Sequence, residues 1–256
     1  MKKLYFITKT FPLGAEEKAF LQYEAELLQE KFDLTIVTTQ KYVPDEKRST
    51  VGYKVLETTG ETNALDKVKN AFRFLCKREA REELADIVNR REFVLKRWLR
   101  AWMFGTAAET FWEQFVDITG LRRDEDAILY FYWWDYKCLG ATSHKNQYPK
   151  LRIVARTHGY DLYHERELYG KQFFKKQMER CLDRLYFISE YGMKYYEQQY
   201  GPDDRNRRYL YRLGVKRRME AACMDLSTSA KLKTDPFLMV SCSNVIPIKR
   251  IHLIIE

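Results

Sequence analysis

Leu151-Arg-Ile-Val-Ala-Arg-Thr-His-Gly-Tyr-Asp-Leu-Tyr163 is the stretch whose reading decides the fold. Leu151, Ile153 and Val154 form a short apolar, β-branched run, the pattern of a strand buried on both faces of a parallel sheet. The run stops at Thr157-His158-Gly159, and Asp161 follows at once. Ligands of open α/β sheets bind just past the carboxyl ends of the strands. His158 and Asp161 are therefore candidates for substrate contact. The competing reading is a tight turn in which Gly159 permits the bend and both polar side chains only satisfy backbone groups.

The flanking sequence supplies the rest of a parallel sheet. Residues 4–8 read as a strand, 10–14 as a loop, 16–31 as a helix and 34–38 as a second strand, which is a β-loop-α-β unit. In the helix, Phe20, Leu21, Tyr23, Glu24, Leu27 and Leu28 suggest a broad inward stripe. The loop stands where phosphate loops stand, yet it has neither Gly-x-Gly-x-x-Gly nor Gly-x-x-x-x-Gly-Lys-Ser/Thr. That argues against a dinucleotide-dependent dehydrogenase and a P-loop enzyme. A third strand is expected at 53–57, then helices in two or three pieces over 65–119. Phe104, Ala108, Phe111, Trp112 and Phe115 recur at helical spacing and point inward. Further strands are expected at 127–133, 185–189 and 208–215, with helices at about 135–148, 166–182 and from 190, the last capped by Ser189. The fold class is α/β, a Rossmann-like parallel sheet with helices on both faces.

Composition narrows the function. The chain has 256 residues, 45% of them apolar, with Lys and Arg exceeding Asp and Glu by 45 to 36. A net charge of +9 favours an anionic partner. Basic residues are dense between Lys67 and Arg100, and Trp98 and Trp102 stand at the end of that stretch. Those helices either cover the sheet with solvated charges or meet an anionic membrane surface. Cys76, Cys138, Cys181, Cys223 and Cys242 are scattered, without Cys-x-x-Cys, so neither a disulfide framework nor a zinc site is expected. Four histidines form no ligand pair. The apolar run near the N-terminus is too short for a signal peptide or a spanning helix. The expected location is the cytoplasm, with the inner membrane face as the surface the chain could meet.

After Val215 the composition changes to Lys-Arg-Arg, Ser-Thr-Ser and Lys-Thr-Asp-Pro, a linker pattern. Residues 237–241 then read as a fresh strand and 249–256 as the start of a helix. The expected organisation is a domain at 1–215, a linker at 216–236, and the opening strand and helix start of a truncated second domain at 237–256.

Three segments, in order, resemble the family-4 type of retaining glycosyltransferases of the two-Rossmann GT-B architecture, especially polysaccharide-building members. They are Phe11-Pro-Leu-Gly-Ala-Glu-Glu-Lys-Ala-Phe-Leu21, Arg156-Thr-His-Gly-Tyr-Asp-Leu-Tyr163, and Phe187-Ile-Ser-Glu-Tyr-Gly192 with Arg212-Leu-Gly-Val215 and Val240-Ser-Cys-Ser-Asn-Val-Ile-Pro-Ile-Lys249. The resemblance implies a nucleotide-sugar donor, a glycan or lipid-linked acceptor held by the N-terminal domain, and no cofactor or metal. It places His158 near the donor sugar and the reacting centre. It places Gly14 in the loop that approaches the donor diphosphate, and Lys249 as the cation that neutralises that diphosphate. Arg156 and Asp161 fall within the second motif as substrate-binding candidates. Two departures stand out. Cys242-Ser243 replaces the family's Gly-Arg, which leaves Arg250 to supply the missing charge. The family's paired glutamates would fall past Glu256, so the chain alone is expected to be inactive. The alternative function is a non-catalytic basic module for an anionic membrane surface or nucleic acid. Dispersed basic residues and the lack of a nucleic-acid fold signature speak against nucleic acid. An inactive remnant of a transferase is the third reading.

Overall fold

The structure is a computed structural model that describes residues 1–39 and 52–214. Met1–Val215 forms one compact unit. The expected linker and second-domain segment, including Lys249 and Arg250, lie outside the described residues.

Seven strands form one parallel sheet in the order β3-β2-β1-β4-β5-β6-β7. They are β1 (Lys2–Ile7), β2 (Phe32–Thr38), β3 (Lys54–Glu57), β4 (Ala127–Phe131), β5 (Arg152–Thr157), β6 (Arg184–Phe187) and β7 (Arg208–Leu210). The register is regular: Leu4 stands beside Leu34 on β2 and beside Ile128 on β4. The helices are α1 (Ala15–Lys31), α2 (Ala64–Leu75), α3 (Arg78–Asn89), α4 (Val94–Thr119), α5 (Tyr136–Ser143), α6 (Gly159–Leu162), α7 (Lys175–Cys181) and α8 (Glu190–Tyr200).

The chain leaves β1 towards β2 and later returns to build outward from β4 in the other direction. Right-handed crossovers in opposite directions put their helices on opposite faces. Side-chain alternation shows this directly. Leu4 and Phe6 of β1 join Leu21 and Ala25 of α1 in one apolar cluster. Tyr5 and Ile7 join Phe111, Phe115, Phe174 and Tyr196 in the larger one. Between β1 and β4 the strand order reverses, and the carboxyl ends there open the crevice in which this fold binds ligands.

Several local expectations need revision. Phe20 and Leu27 are exposed, so α1 buries a narrow stripe centred on Leu21 and Ala25. The helix expected at 166–182 shrinks to Lys175–Cys181. Tyr169, Gly170 and Phe174 adopt left-handed backbone conformations, which end any helix before it. Tertiary contacts hold the intervening loop: Lys171 pairs with Glu83 at 2.7 Å, and the Gln172 amide donates to the carbonyls of Tyr160 and Tyr163 at 2.9 and 3.0 Å. The expected long helical stretch is three helices, α2, α3 and α4. Within it Arg97 is not part of a basic surface. Its guanidinium is buried and donates to the carbonyl of Tyr169 at 2.8 and 3.0 Å. The final strand is shorter than expected. Ser189 caps α8 as anticipated, accepting from the Gly192 N–H at 3.0 Å.

Candidate functional site

Three loops meet at the carboxyl ends of β1, β4 and β5. In the first, residues 8–14, Thr8 Oγ1 donates to the Phe11 carbonyl at 2.7 Å and the Gly14 N–H to the Thr10 carbonyl at 2.8 Å. Glu17, in the first turn of α1, reaches back into this loop and is almost wholly buried. Its Oε2 accepts from the backbone N–H of Lys9 at 3.1 Å, of Thr10 at 2.5 Å and of Phe11 at 2.8 Å. These are the amides that a phosphate loop would turn towards its ligand. Here a side-chain carboxylate fills that role. Glu17 also accepts from the indole N–H of Trp133, which ties the first loop to the second.

The second loop follows β4. The Tyr132 N–H donates to the Ile7 carbonyl at 3.0 Å and so prolongs the sheet contact. Asp135 caps α5 by accepting from the Lys137 N–H at 2.9 Å, and it also pairs with the buried Lys137 ammonium. The Trp134 N–H donates to Asp161 Oδ2 of the third loop at 2.8 Å.

The third loop carries His158. Its ring lies against Tyr132 and Trp133, with centroids 4.6 and 4.5 Å away. It is 8% exposed, and neither ring nitrogen makes a hydrogen bond of ordinary geometry, although the Asp161 backbone N–H turns towards the ring in a capping-box arrangement. Nδ1 stands 3.9 Å from Asp161 Oδ2, too far for a hydrogen bond. Asp161 is the post on which the loop is built. It accepts from the His158 N–H at 2.6 Å and from Thr157 Oγ1 at 2.8 Å. Burial pushes its carboxyl up, but the His158 ring and backbone N–H and the Lys175 ammonium together hold it below the usual carboxylate range. Arg156 turns to the other face of β5. It grips Glu24 with two hydrogen bonds and lies over the rings of Tyr130 and Tyr132. Burial and the nearby Arg156 charge oppose each other at Tyr132; burial prevails, and the phenol is pushed up to about 12.

A cleft of about 530 Å³ lies over these loops and against α4. Trp133, Trp134, Tyr136 and Tyr160 supply aromatic surface, and Asp135, Lys137, Asp161 and Lys175 supply charge. Lys175 is 3% exposed, donates to the Trp134 carbonyl at 2.5 Å and sits 4.6 Å over the Trp134 ring. Burial holds its ammonium below the usual lysine range. His158 does not line this cleft itself; Trp133 touches both.

The structure thus brings Gly14, His158, Asp161 and Arg156 to the carboxyl edge of the sheet, with different surroundings. Gly14 is the N-cap of α1, with extended backbone. His158 has unengaged nitrogens, Asp161 is spent on three hydrogen bonds from the chain, and Arg156 is spent on Glu24. Sequence reasoning passed over Glu17, Lys137 and Lys175. An acid in the first turn of a helix is an ordinary choice beside the helix dipole, so nothing in the sequence marked Glu17. Lys175 carried no local signal, because its place depends on a loop of tertiary origin. Among the described residues no cluster of His, Cys, Asp and Glu could hold a metal ion.

Neither a protein-family model nor a curated protein matches the sequence. Among solved structures, the chain is similar to UDP-N-acetylglucosamine 2-epimerase from Rickettsia bellii, with a TM-score of 0.45 and 15% identity. The likeness covers 82% of this chain and 44% of the epimerase chain, so the present chain spans less than half of that protein. It is a distant likeness in the course of the chain.

Proposed function

We propose that this chain supplies the acceptor side of a retaining glycosyltransferase, moving a sugar from a nucleotide-sugar donor to a glycan or lipid-linked acceptor in polysaccharide biosynthesis. One observation carries the reading. His158 stands at the carboxyl end of β5 with both ring nitrogens buried and unpartnered. An unmet buried polar atom costs about 1–3 kcal/mol, so an imidazole kept this way fits a group that is satisfied by its substrate. Tyr132 and Trp133 fix the plane of the ring, and Asp161 fixes the backbone beneath it. An imidazole so held can exchange a hydrogen bond or a proton with a sugar hydroxyl. The donor diphosphate is assigned to Lys249 and Arg250 in the second unit, because Glu17 already occupies the loop amides after β1. Cations there would stabilise the charge that grows on the departing diphosphate.

The acceptor partner is drawn to the surface of α2 and α4. Leu65, Val68 and Phe72 on α2 and Leu95, Leu99 and Met103 on α4 are exposed apolar residues. They flank an apolar cavity of about 550 Å³ lined by Val68, Phe72, Trp102 and Met103. Such a surface with Lys67 and Lys96 nearby suits an anionic membrane face. No helix among the described residues is long and apolar enough to cross a membrane. The basic-module reading is weakened by pairing: Arg73 with Glu113, Lys77 with Glu109, Arg90 with Asp86 and Arg100 with Glu167 leave few cations unpartnered there.

The test is release of nucleotide from a panel of nucleotide sugars by the full-length protein with saccharide acceptors. Turnover should fall about 10²-fold or more in His158→Ala. Near-normal turnover in a folded His158→Ala protein would overturn the assignment.

A further inference from the structure

The cleft over β1, β4 and β5 has an unusual balance of charge. Arg100 on its wall pairs with Glu167 at 3.0 Å, and Lys137 pairs with Asp135. Asp161 is engaged by three donors from the chain. Lys175 is different. It is 3% exposed, its one hydrogen bond goes to a neutral carbonyl, and no carboxylate pairs with it among the described residues. Lys9 on the same wall is exposed and also lacks a carboxylate partner among the described residues. A buried ammonium with one carbonyl acceptor has two N–H groups to spare, and the carboxylates that face it, Asp161, Asp135 and Glu167, are engaged by other donors and make no ion pair with it. Tyr160 and Trp133 beside it present flat apolar faces, the surfaces on which sugar rings stack.

We propose that this cleft binds a saccharide carrying an anionic substituent, a carboxylate or a phosphate, with the negative group on Lys175 and the ring against Trp133 and Tyr160. That this saccharide is the acceptor rests on the proposed function; that it binds here does not. A nucleotide diphosphate is the competing occupant, and the geometry disfavours it. The Lys9–Phe11 amides that would cradle a diphosphate at this crevice all donate to Glu17. One lysine on a mostly aromatic wall matches one negative group on a small ring better than the extended double charge of a diphosphate. The lowered affinity of Lys175 for its proton fits a site whose counter-charge arrives with the ligand.

The experiment titrates the 256-residue chain with glucuronate, galacturonate, glucose 6-phosphate, glucose and UDP, following tryptophan emission and the indole N–H resonances. The uronates and the sugar phosphate separate the two sources of negative charge. At least one acidic saccharide should bind about tenfold or more tightly than glucose, the worth of one charge-assisted hydrogen bond, and shift the Trp133 or Trp134 indole. Lys175→Met should abolish that preference and Lys175→Arg should retain part of it. A cooperative thermal melt and an unchanged far-ultraviolet circular dichroism spectrum show that the Met variant folds. Equal binding of glucose and the acids overturns the proposal. So does UDP displacing every saccharide response, or an acid preference that survives in folded Lys175→Met. If Lys175→Met fails to fold, the wild-type selectivity and the indole shifts decide the matter. Transfer to a neutral saccharide without uronate or sugar-phosphate binding would sink this inference and leave the transferase reading standing. Acidic saccharides binding without turnover of any donor would do the reverse.

Discussion

The guanidinium of Arg156 holds the carboxylate of Glu24 through two parallel hydrogen bonds of 2.6 and 2.9 Å, across 132 positions of sequence. The pair joins β5 to α1 on the face of the sheet that α1 alone covers among the described helices, and the Tyr130 hydroxyl donates to the same carboxylate at 2.6 Å. Glu24→Ala should therefore leave a charge stranded against Tyr130 and Tyr132. The expected loss is about 2–3 kcal/mol, below the roughly 3–5 of a fully buried pair because the two side chains keep 11% and 22% exposure. Urea denaturation measures it. The double variant Glu24→Met/Arg156→Met should recover part of the loss, since no lone charge remains.

His158 offers a test that separates function from architecture. Because its ring nitrogens make no ordinary hydrogen bond, His158→Phe keeps the aromatic packing with Tyr132 and Trp133 and removes two unmet polar atoms. Stability should stay level or rise by about 1 kcal/mol while transfer is lost. A marked fall in melting temperature would mean that the ring nitrogens serve the fold after all.

His164 sets a pH dependence. Burial first, then the charges of Arg90, Lys171 and Lys175, push its imidazole down to about 4. Nδ1 accepts from the Gln172 N–H at 2.8 Å, which a proton on that nitrogen would forbid. The unfolded imidazole titrates near 6.5. Above that pH neither state carries the proton, and the full contribution is present. Between about 6.5 and 4 the unfolded chain takes up the proton first, so stability falls with falling pH. Melting temperatures across this window should decline in the wild type and decline less in His164→Gln.

The surface of α2 and α4 predicts binding to vesicles that rises with anionic lipid and falls with salt. Arg90, Arg91 and Lys96 to Gln should weaken it through charge. Phe72, Leu99 and Met103 to Ser should weaken it at every salt concentration through lost insertion. Arg97 belongs in neither set, because its replacement would unseat the Tyr169 loop. Sedimentation with vesicles is the readout, and equal binding to neutral and anionic lipid would remove the electrostatic part.

The sheet was legible from sequence because its strands are buried on both faces and so read as unbroken apolar runs, as Ile153 and Leu129 show. The parallel run of the strands followed from the β-loop-α-β unit at the N-terminus, whereas their order did not. The segment before α7 was not legible. Phe173, Phe174 and Met178 satisfy a helical period, yet Phe173 and Phe174 precede the helix, and their burial comes from packing in a loop fixed by Glu83 and Gln172. The position of His158 at the carboxyl end of a strand was legible because the apolar run of Leu151, Ile153 and Val154 stops just before it. The placements of Arg156 and Lys175 were not, since one depends on a partner 132 positions away and the other on a loop that tertiary contacts shape.

Glu17 makes the loop after β1 a receptor with a resident occupant. The loop amides of Lys9, Thr10 and Phe11 are held by one covalently attached anion at an effective concentration no free ion can rival. Phosphate buffer should therefore protect this domain from heat no better than chloride at equal ionic strength, unlike domains whose loops await a nucleotide. Switching between an open and a plugged crevice lies a single side chain away, so Glu17→Gln or Glu17→Ala is enough to reopen the Lys9–Phe11 amides to a free anion.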